Sequence, residues 1–315
     1  MMSFNNCWHR SPCLKMSSAT DINLQQLISL QQKVGELAVR RKHIRSALSG
    51  AHLSRLRGRG MEFDEVRIYQ PGDEVSSIDW KVTARKGTTH TKIFREERER
   101  PILICLDYRR SMFFATQGSL KSVIATQAAA LLAWHSISHG DRLGACLFSE
   151  QAHHDIKPTR GRKGVLKFLH GCCHSEAWQQ QHTPLPATTL DETAQRLRRL
   201  SRPGSLVYIL SDFRGLTPTS INQLGQLARH SDVVLVAIHD VMESHFPASG
   251  EFPVFDGKQH FTFLANRQIQ QAFQQQYQQR MAQLEQLKKQ HGIHLIEIST
   301  TDEVSQIIRE RLWAV

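Results

Sequence analysis

No stretch of this 315-residue chain approaches the ~20 consecutive apolar residues that a membrane-spanning helix requires. The first twenty residues, MMSFNNCWHRSPCLKMSSAT, lack the apolar segment of a secretory signal. They read as a disordered leader, with Met16 an alternative start. Cysteine is sparse: Cys7, Cys13, Cys105, Cys146, Cys172 and Cys173 are the whole set, and no CxxC pair occurs. Two of them fall in apolar strands, where Cys serves as a small core residue. This is the pattern of reduced thiols in a cytoplasmic protein, not of a disulfide frame. Cys172-Cys173-His174 lacks the ligand spacing of a tetrahedral metal clamp.

Several catalytic signatures are also missing. There is no G-x-x-x-x-G-K-[ST] loop to cradle a nucleotide, no G-x-S-x-G elbow and no H-E-x-x-H pair. No G-x-G-x-x-G follows a strand; Gly58 and Gly60 precede one instead. No repeat of fixed period appears.

Positive charge is in excess: the net charge is +11. Such a balance favours anionic partners without choosing among nucleic acid, membrane and acidic protein. After a helix that Asp21 can cap, with Leu24, Leu27, Ile28, Leu30, Val34 and Leu37 at helical spacing, the basic residues gather in Arg40–Arg45 and Arg55–Arg59. These could grip phosphates. The alternative is a solvated basic face, and no aromatics interleave for base stacking.

Met61–Tyr69 alternates like a strand with a bulge. Gln70-Pro71-Gly72-Asp73 is a turn, and His90–Phe94 a further strand. The segment up to Arg100 therefore reads as a small β-rich module. From Pro101 strands and helices alternate, the pattern of a mostly parallel α/β sheet with helices on both faces. Expected strands cover Ile102–Asp107, Asp141–Phe148, Ser205–Leu210, Asp232–Ile238 and Ile293–Ile298. Gln151–Pro158 could return as a hairpin, and Phe246–Phe263 forms another by its turn chemistry. A short helix is expected over Gly164–Leu169. A long glutamine-rich helix is expected over 266–290. Its apolar stripe, Ile269, Phe273, Tyr277, Met281, Leu284 and Leu287, reads as core packing.

Two of the apolar strands end in a carboxylate. Asp107 closes Ile102-Leu103-Ile104-Cys105-Leu106, and Asp212 follows Leu210-Ser211. The carboxyl ends of such strands are where open α/β sheets place ligand sites. A helix-capping role for Asp107 is the plainer alternative. With Ser111 and Thr188, these residues form an oxygen-rich set suited to a hard cation such as Mg²⁺.

The order D-x-S-x-S, then Thr, then a strand ending in Asp resembles the von Willebrand factor A domain. Its metal-ion-dependent adhesion site is built from those positions. The run from Gly58 to Met112 resembles more narrowly the bacterial "domain of unknown function 58" family. Gly60, Glu62, Phe63, Arg67, Tyr69, Gly72, Asp73, Ile78, Asp79, Trp80, Ala84, Arg85 and Glu96 carry that resemblance, and Asp141-Arg142-Leu143-Gly144 and Leu210-Ser211-Asp212 extend it. It implies a short β-rich segment coupled to a von Willebrand A-like domain, here divided as 21–100 and 101–315 after a 1–20 leader. Three features depart from the pattern. Ser76 and Ser77 stand where an Arg is usual, the Thr188 loop lacks glycines, and the first Ser of D-x-S-x-S is Arg109. A guanidinium between Asp107 and Asp212 could neutralise them without metal. Alternatively, Arg109 swings outward and Ser111, Thr188 and water hold a weakened ion.

The resemblance implies a non-enzymatic interaction protein. It would be a partner of a MoxR-type AAA+ ATPase, acting in chaperone-like assembly of a client complex and docking around Asp107, Ser111, Thr188 and Asp212. Nucleic-acid binding through Arg40–Arg59 is the alternative. A metal-dependent hydrolase is a third, though no general base or nucleophile is evident beside the two aspartates.

Overall fold

The computed structural model describes residues 19–38, 61–96, 100–179, 190–255 and 260–312. They divide into two compact units. One holds 19–38 with everything from 100 onward, the other 61–96.

The larger unit is built on a six-stranded sheet. Its strands are β3 (Pro101–Asp107), β4 (Arg142–Phe148), β5 (His153–Arg160), β6 (Leu206–Ser211), β7 (Asp232–His239) and β10 (His294–Ser299). The order is β10-β7-β6-β3-β4-β5. All neighbours are parallel except β4 and β5, which form the expected hairpin. β3 is central and buried on both faces, which explains its unbroken apolar run. Its alternate side chains enter opposite cores. Ile102, Ile104 and Leu106 face one, Leu103 and Cys105 the other.

The first core is covered by α1 (Leu24–Ala38), α3 (Lys121–Ile137), α4 (Arg162–Cys173) and α9 (Val304–Leu312). The second is covered by α5 (Asp191–Leu200), α6 (Pro218–Ala228) and α8 (Arg267–His291). This is the mostly parallel sheet with helices on both faces that the sequence implied. A four-residue helix, α7 (Val241–Ser244), follows β7. A separate hairpin, β8 (Gly250–Phe255) with β9 (His260–Ala265), precedes α8.

Several boundaries move. α1 packs on α3 rather than joining the β-rich segment. Leu27 and Val34 are buried, and the Trp134 indole donates to the Leu27 carbonyl at 2.9 Å. Asn23, not Asp21, supplies the side-chain acceptor at the helix start, bonding the Gln25 amide. The short helix expected over 164–169 runs through Cys173, so Cys172 is a core residue whose thiol burial pushes up. The α8 stripe splits. Leu284 and Leu287 are buried, whereas Phe273 is 36% exposed and Tyr277 half-buried.

The smaller unit pairs β1 (Met61–Ile68) antiparallel with β2 (His90–Glu96), with the expected bulge between Phe63 and Glu65. Between them lies a helix that alternation did not reveal, α2 (Trp80–Lys86). Asp79 caps it by accepting from the amides of Lys81 and Val82. Gly87, left-handed at φ 69°, ends it. Arg67 pairs with Asp73 at 2.7 Å, and the other Asp73 oxygen accepts from the Gln70 amide, tying the turn at Gly72. The side chains of Glu62 and Phe63, and all of Gly60, lie outside what is described.

Candidate functional site

Parallel strands deliver β3 and β6 side by side, so Asp107 and Asp212 meet at the carboxyl edge of the sheet. Both are buried. Arg109, two residues past Asp107, turns back onto it. Its Nε lies 3.1 Å from each Asp107 oxygen and its Nη2 2.7 Å from Oδ2. The Arg109 backbone amide adds a bond to Oδ1 at 2.8 Å, and the Ser211 hydroxyl donates to Oδ2 at 2.6 Å. Nη1 donates to the Arg214 carbonyl at 2.9 Å, and Nη2 also lies 3.7 Å from Asp212 Oδ1. Its carbon sits 5.7 Å from the centre of the Phe148 ring.

A second cation fills the other side. Lys121 Nζ donates to Asp212 Oδ2 at 2.9 Å and to Glu243 Oε1, and all three groups are buried. Arg280 from α8 closes the chain on Glu243 Oε2 at 2.7 Å. Carboxylates and cations therefore alternate through the site: Asp107, Arg109, Asp212, Lys121, Glu243, Arg280. Burial alone would push the Asp212 carboxyl up. Lys121 first, then Arg109 and Arg214, outweigh it and hold that carboxyl well below the usual range.

Lys121 and Glu243 lie in no motif, and sequence reasoning passed over both. The available signal was α3 itself. It is apolar or small on nearly every side and buried along most of its length, and Lys121 is its one Lys, Arg, Asp or Glu. A helix buried all round that carries a single cation must pair it.

A Mg²⁺ ion does not fit this arrangement. Its ligands would be Asp107 and Asp212, but their oxygens already accept from a guanidinium and an ammonium, and a divalent ion between two fixed cations would be repelled. Ser111, in the turn Arg110–Met112, is half-buried and bonds neither aspartate. Thr188 lies outside the described residues, as does the basic region Arg40–Arg59. Among the described residues no group of three His, Cys, Asp or Glu side chains is arranged to hold a metal.

The loop after β6 is sharply built. Phe213 has a left-handed backbone, φ 53°, uncommon for an aromatic residue. Its ring is buried in the second core, and its amide donates to Ser211 Oγ at 2.9 Å. Gly215, also left-handed, follows. Arg214 between them is turned outward and is 43% exposed.

A third strand-end carboxylate, Asp240, is structural. It accepts from the Thr116 amide and hydroxyl, the Thr300 hydroxyl and the Met242 amide, tying three loops together.

Comparison with known proteins places relatives beside this geometry. Residues 65–286 match the family described as "Protein of unknown function DUF58". The uncharacterized protein Rv1480 of Mycobacterium tuberculosis (strain ATCC 25618 / H37Rv) is 30% identical over 224 residues, 71% of this chain and 68% of that protein. The uncharacterized protein YeaD of Bacillus subtilis (strain 168) is 37% identical over 73 residues, 22% of this chain and 18% of that protein. Among solved structures, the conserved hypothetical protein BatB from Bacteroides thetaiotaomicron matches 68% of this chain and 97% of its own, with a TM-score of 0.43 and 12% identity.

Proposed function

The chain belongs to the DUF58 family, and from that premise we propose that it is a non-enzymatic interaction protein that docks a partner at the carboxyl edge of its sheet. The partner is a MoxR-type AAA+ ATPase, and the pair acts in chaperone-like assembly or maturation of a client complex. The observation that carries the reading is the closed charge chain from Asp107 to Arg280. Catalysis by these groups would need a free base, a free nucleophile or a water-activating ion. Here each of the three carboxylates of the charge chain, Asp107, Asp212 and Glu243, is held by a cation of the chain itself. What such a network supplies is a fixed platform of loops. The β-rich segment offers a second surface, where Trp80 is 67% exposed.

No helix of the described residues is long and apolar enough to cross a membrane, which fits a chain that meets its ATPase in the cytoplasm. The tagged chain, purified from its own cell extract with ATP present, is expected to bring down a MoxR-type ATPase. Recovery of none, with ATP or with ADP, overturns the proposal.

A further inference from the structure

The loop carrying Arg214 and the exposed half of α8 enclose a pocket of about 430 Å³ directly beside the charge chain. That volume falls within the range of ligand-sized clefts. We propose that this pocket receives the side chain of an acidic residue, flanked by an apolar one, from a partner protein. Arg214 would hold the carboxylate and Phe273 the apolar neighbour. The proposal rests on the docking reading above and names the chemistry of what docks.

Charge comes first. Three charged residues line the pocket: Arg214, Glu243 and Arg280. Both Glu243 oxygens are already engaged, one by Lys121 and one by Arg280. Arg214 reaches the same carboxylate only at 3.3 Å and Asp212 only at 3.8 Å. Of the charged residues that line the pocket, two cations, Arg214 and Arg280, share one carboxylate, Glu243, so the pocket wall itself carries one positive charge in excess. Among Arg109, Lys121, Arg214 and Arg280, Arg214 is the most exposed. A guanidinium with spare donors in a half-enclosed site selects a carboxylate, which it can bind through two parallel bonds.

Shape and lining select a side chain on a protein. Phe273 stacks against Phe246 at 4.6 Å on one side and exposes the rest of its ring. Tyr277 is covered in part by His239 and by Arg280. These aromatic surfaces are half used, enough for one apolar side chain and poor as a platform for stacked bases. The remaining wall includes Gln276 and Gln283, neutral amides able to bond a peptide backbone. Nucleic acid would require a track of several cations, and the pocket has one to spare. The strained turn at Phe213 supports the assignment. Its buried ring and left-handed backbone fix the loop, and the residue so positioned is Arg214. Backbone strain of this sort collects at binding sites.

The test uses full-length ¹⁵N-labelled protein and three probes: blocked Phe-Glu dipeptide, its Phe-Gln twin and inorganic phosphate. Phe-Glu is expected to shift the side-chain amide signals of Gln276 and Gln283 and the Arg214 Nε–H signal saturably, with Phe-Gln about tenfold weaker. Arg214→Gln should weaken Phe-Glu about tenfold. Gln276→Glu, on an exposed helix position that leaves the buried network untouched, should do the same by repulsion. Equal binding of the two dipeptides, shifts confined to other parts of the molecule, or full binding by both variants overturns the proposal. Phosphate binding as tight as Phe-Glu overturns it in favour of a simple anion site. The same variants separate this idea from the docking reading. ATPase recovery unaffected by either variant sinks the pocket and leaves docking standing. Selective dipeptide binding with no ATPase recovery does the reverse.

Discussion

Lys121 donates to Asp212 and Glu243 from the first position of α3, the helix end that disfavours a cation. It is there because two buried carboxylates need it, and removing one partner of such a group leaves charge uncompensated. Lys121→Ala is expected to cost about 3–5 kcal/mol, read from urea denaturation; a loss below about 1 kcal/mol would show the network to be slack. Asp212 gives the pH dependence. Its folded carboxyl is held below its ordinary value, so its contribution is present above the unfolded pKa of about 3.9 and drains away as pH falls toward the folded one. The parent should lose stability below about pH 4. Asp212→Asn, less stable at neutral pH, should show a flatter profile there. Millimolar Mg²⁺ or Mn²⁺ is expected to leave the melting temperature of the parent unchanged, since an ion bound only by the folded state would raise it. The sequence made Asp107, Arg109 and Asp212 legible because strand-end acids and a broken D-x-S-x-S stand out along a line of residues. It hid Lys121 and Glu243, whose meaning arises only where α3 and α7 converge on β6.

α8 shows how an element can be correctly foreseen and still misread. Its apolar stripe has regular helical spacing, and the helix spans Arg267–His291 much as expected. Periodicity says which side chains share a face; it does not say where the neighbouring layer stops. Leu284 and Leu287 lie over the sheet and are buried, while Phe273 and Tyr277 wall a pocket instead. The two halves should answer mutation differently. Leu284→Ala is expected to cost about 2–5 kcal/mol as a buried truncation, and Phe273→Ala less than about 1 kcal/mol. Chemical denaturation of the two variants reads the contrast directly. Equal losses would mean that the exposed half of α8 carries stability and not recognition.

For the whole molecule, the two units differ in what holds them together. The larger has a core on each face of its sheet. In the smaller, the side chains of Met61, Phe63, Ile93 and Phe94 lie outside what is described, and among the side chains that are described only His90 and Thr91 are buried. Its described contacts are a strand pair, the Arg67–Asp73 bridge and the Asp79 cap, and a two-stranded hairpin contributes little stability by itself. Yet this is where the sequence signature is densest, and several of those residues are now accounted for as turn, bridge and cap. Trp80 is not. It projects from the first turn of α2, and Ile68 and Val75 of the same unit are exposed as well. A large exposed aromatic contributes little to folding where it stands and is suited to contact with something else. Trp80→Ala is therefore expected to change stability by less than about 0.5 kcal/mol and to cut recovery of the ATPase sharply. Hydrogen exchange, faster in β1 and β2 than in β3 and β6, should be alike in parent and variant. If recovery is intact, the β-rich unit is no docking surface, and the partner must be held by the carboxyl edge of the sheet alone.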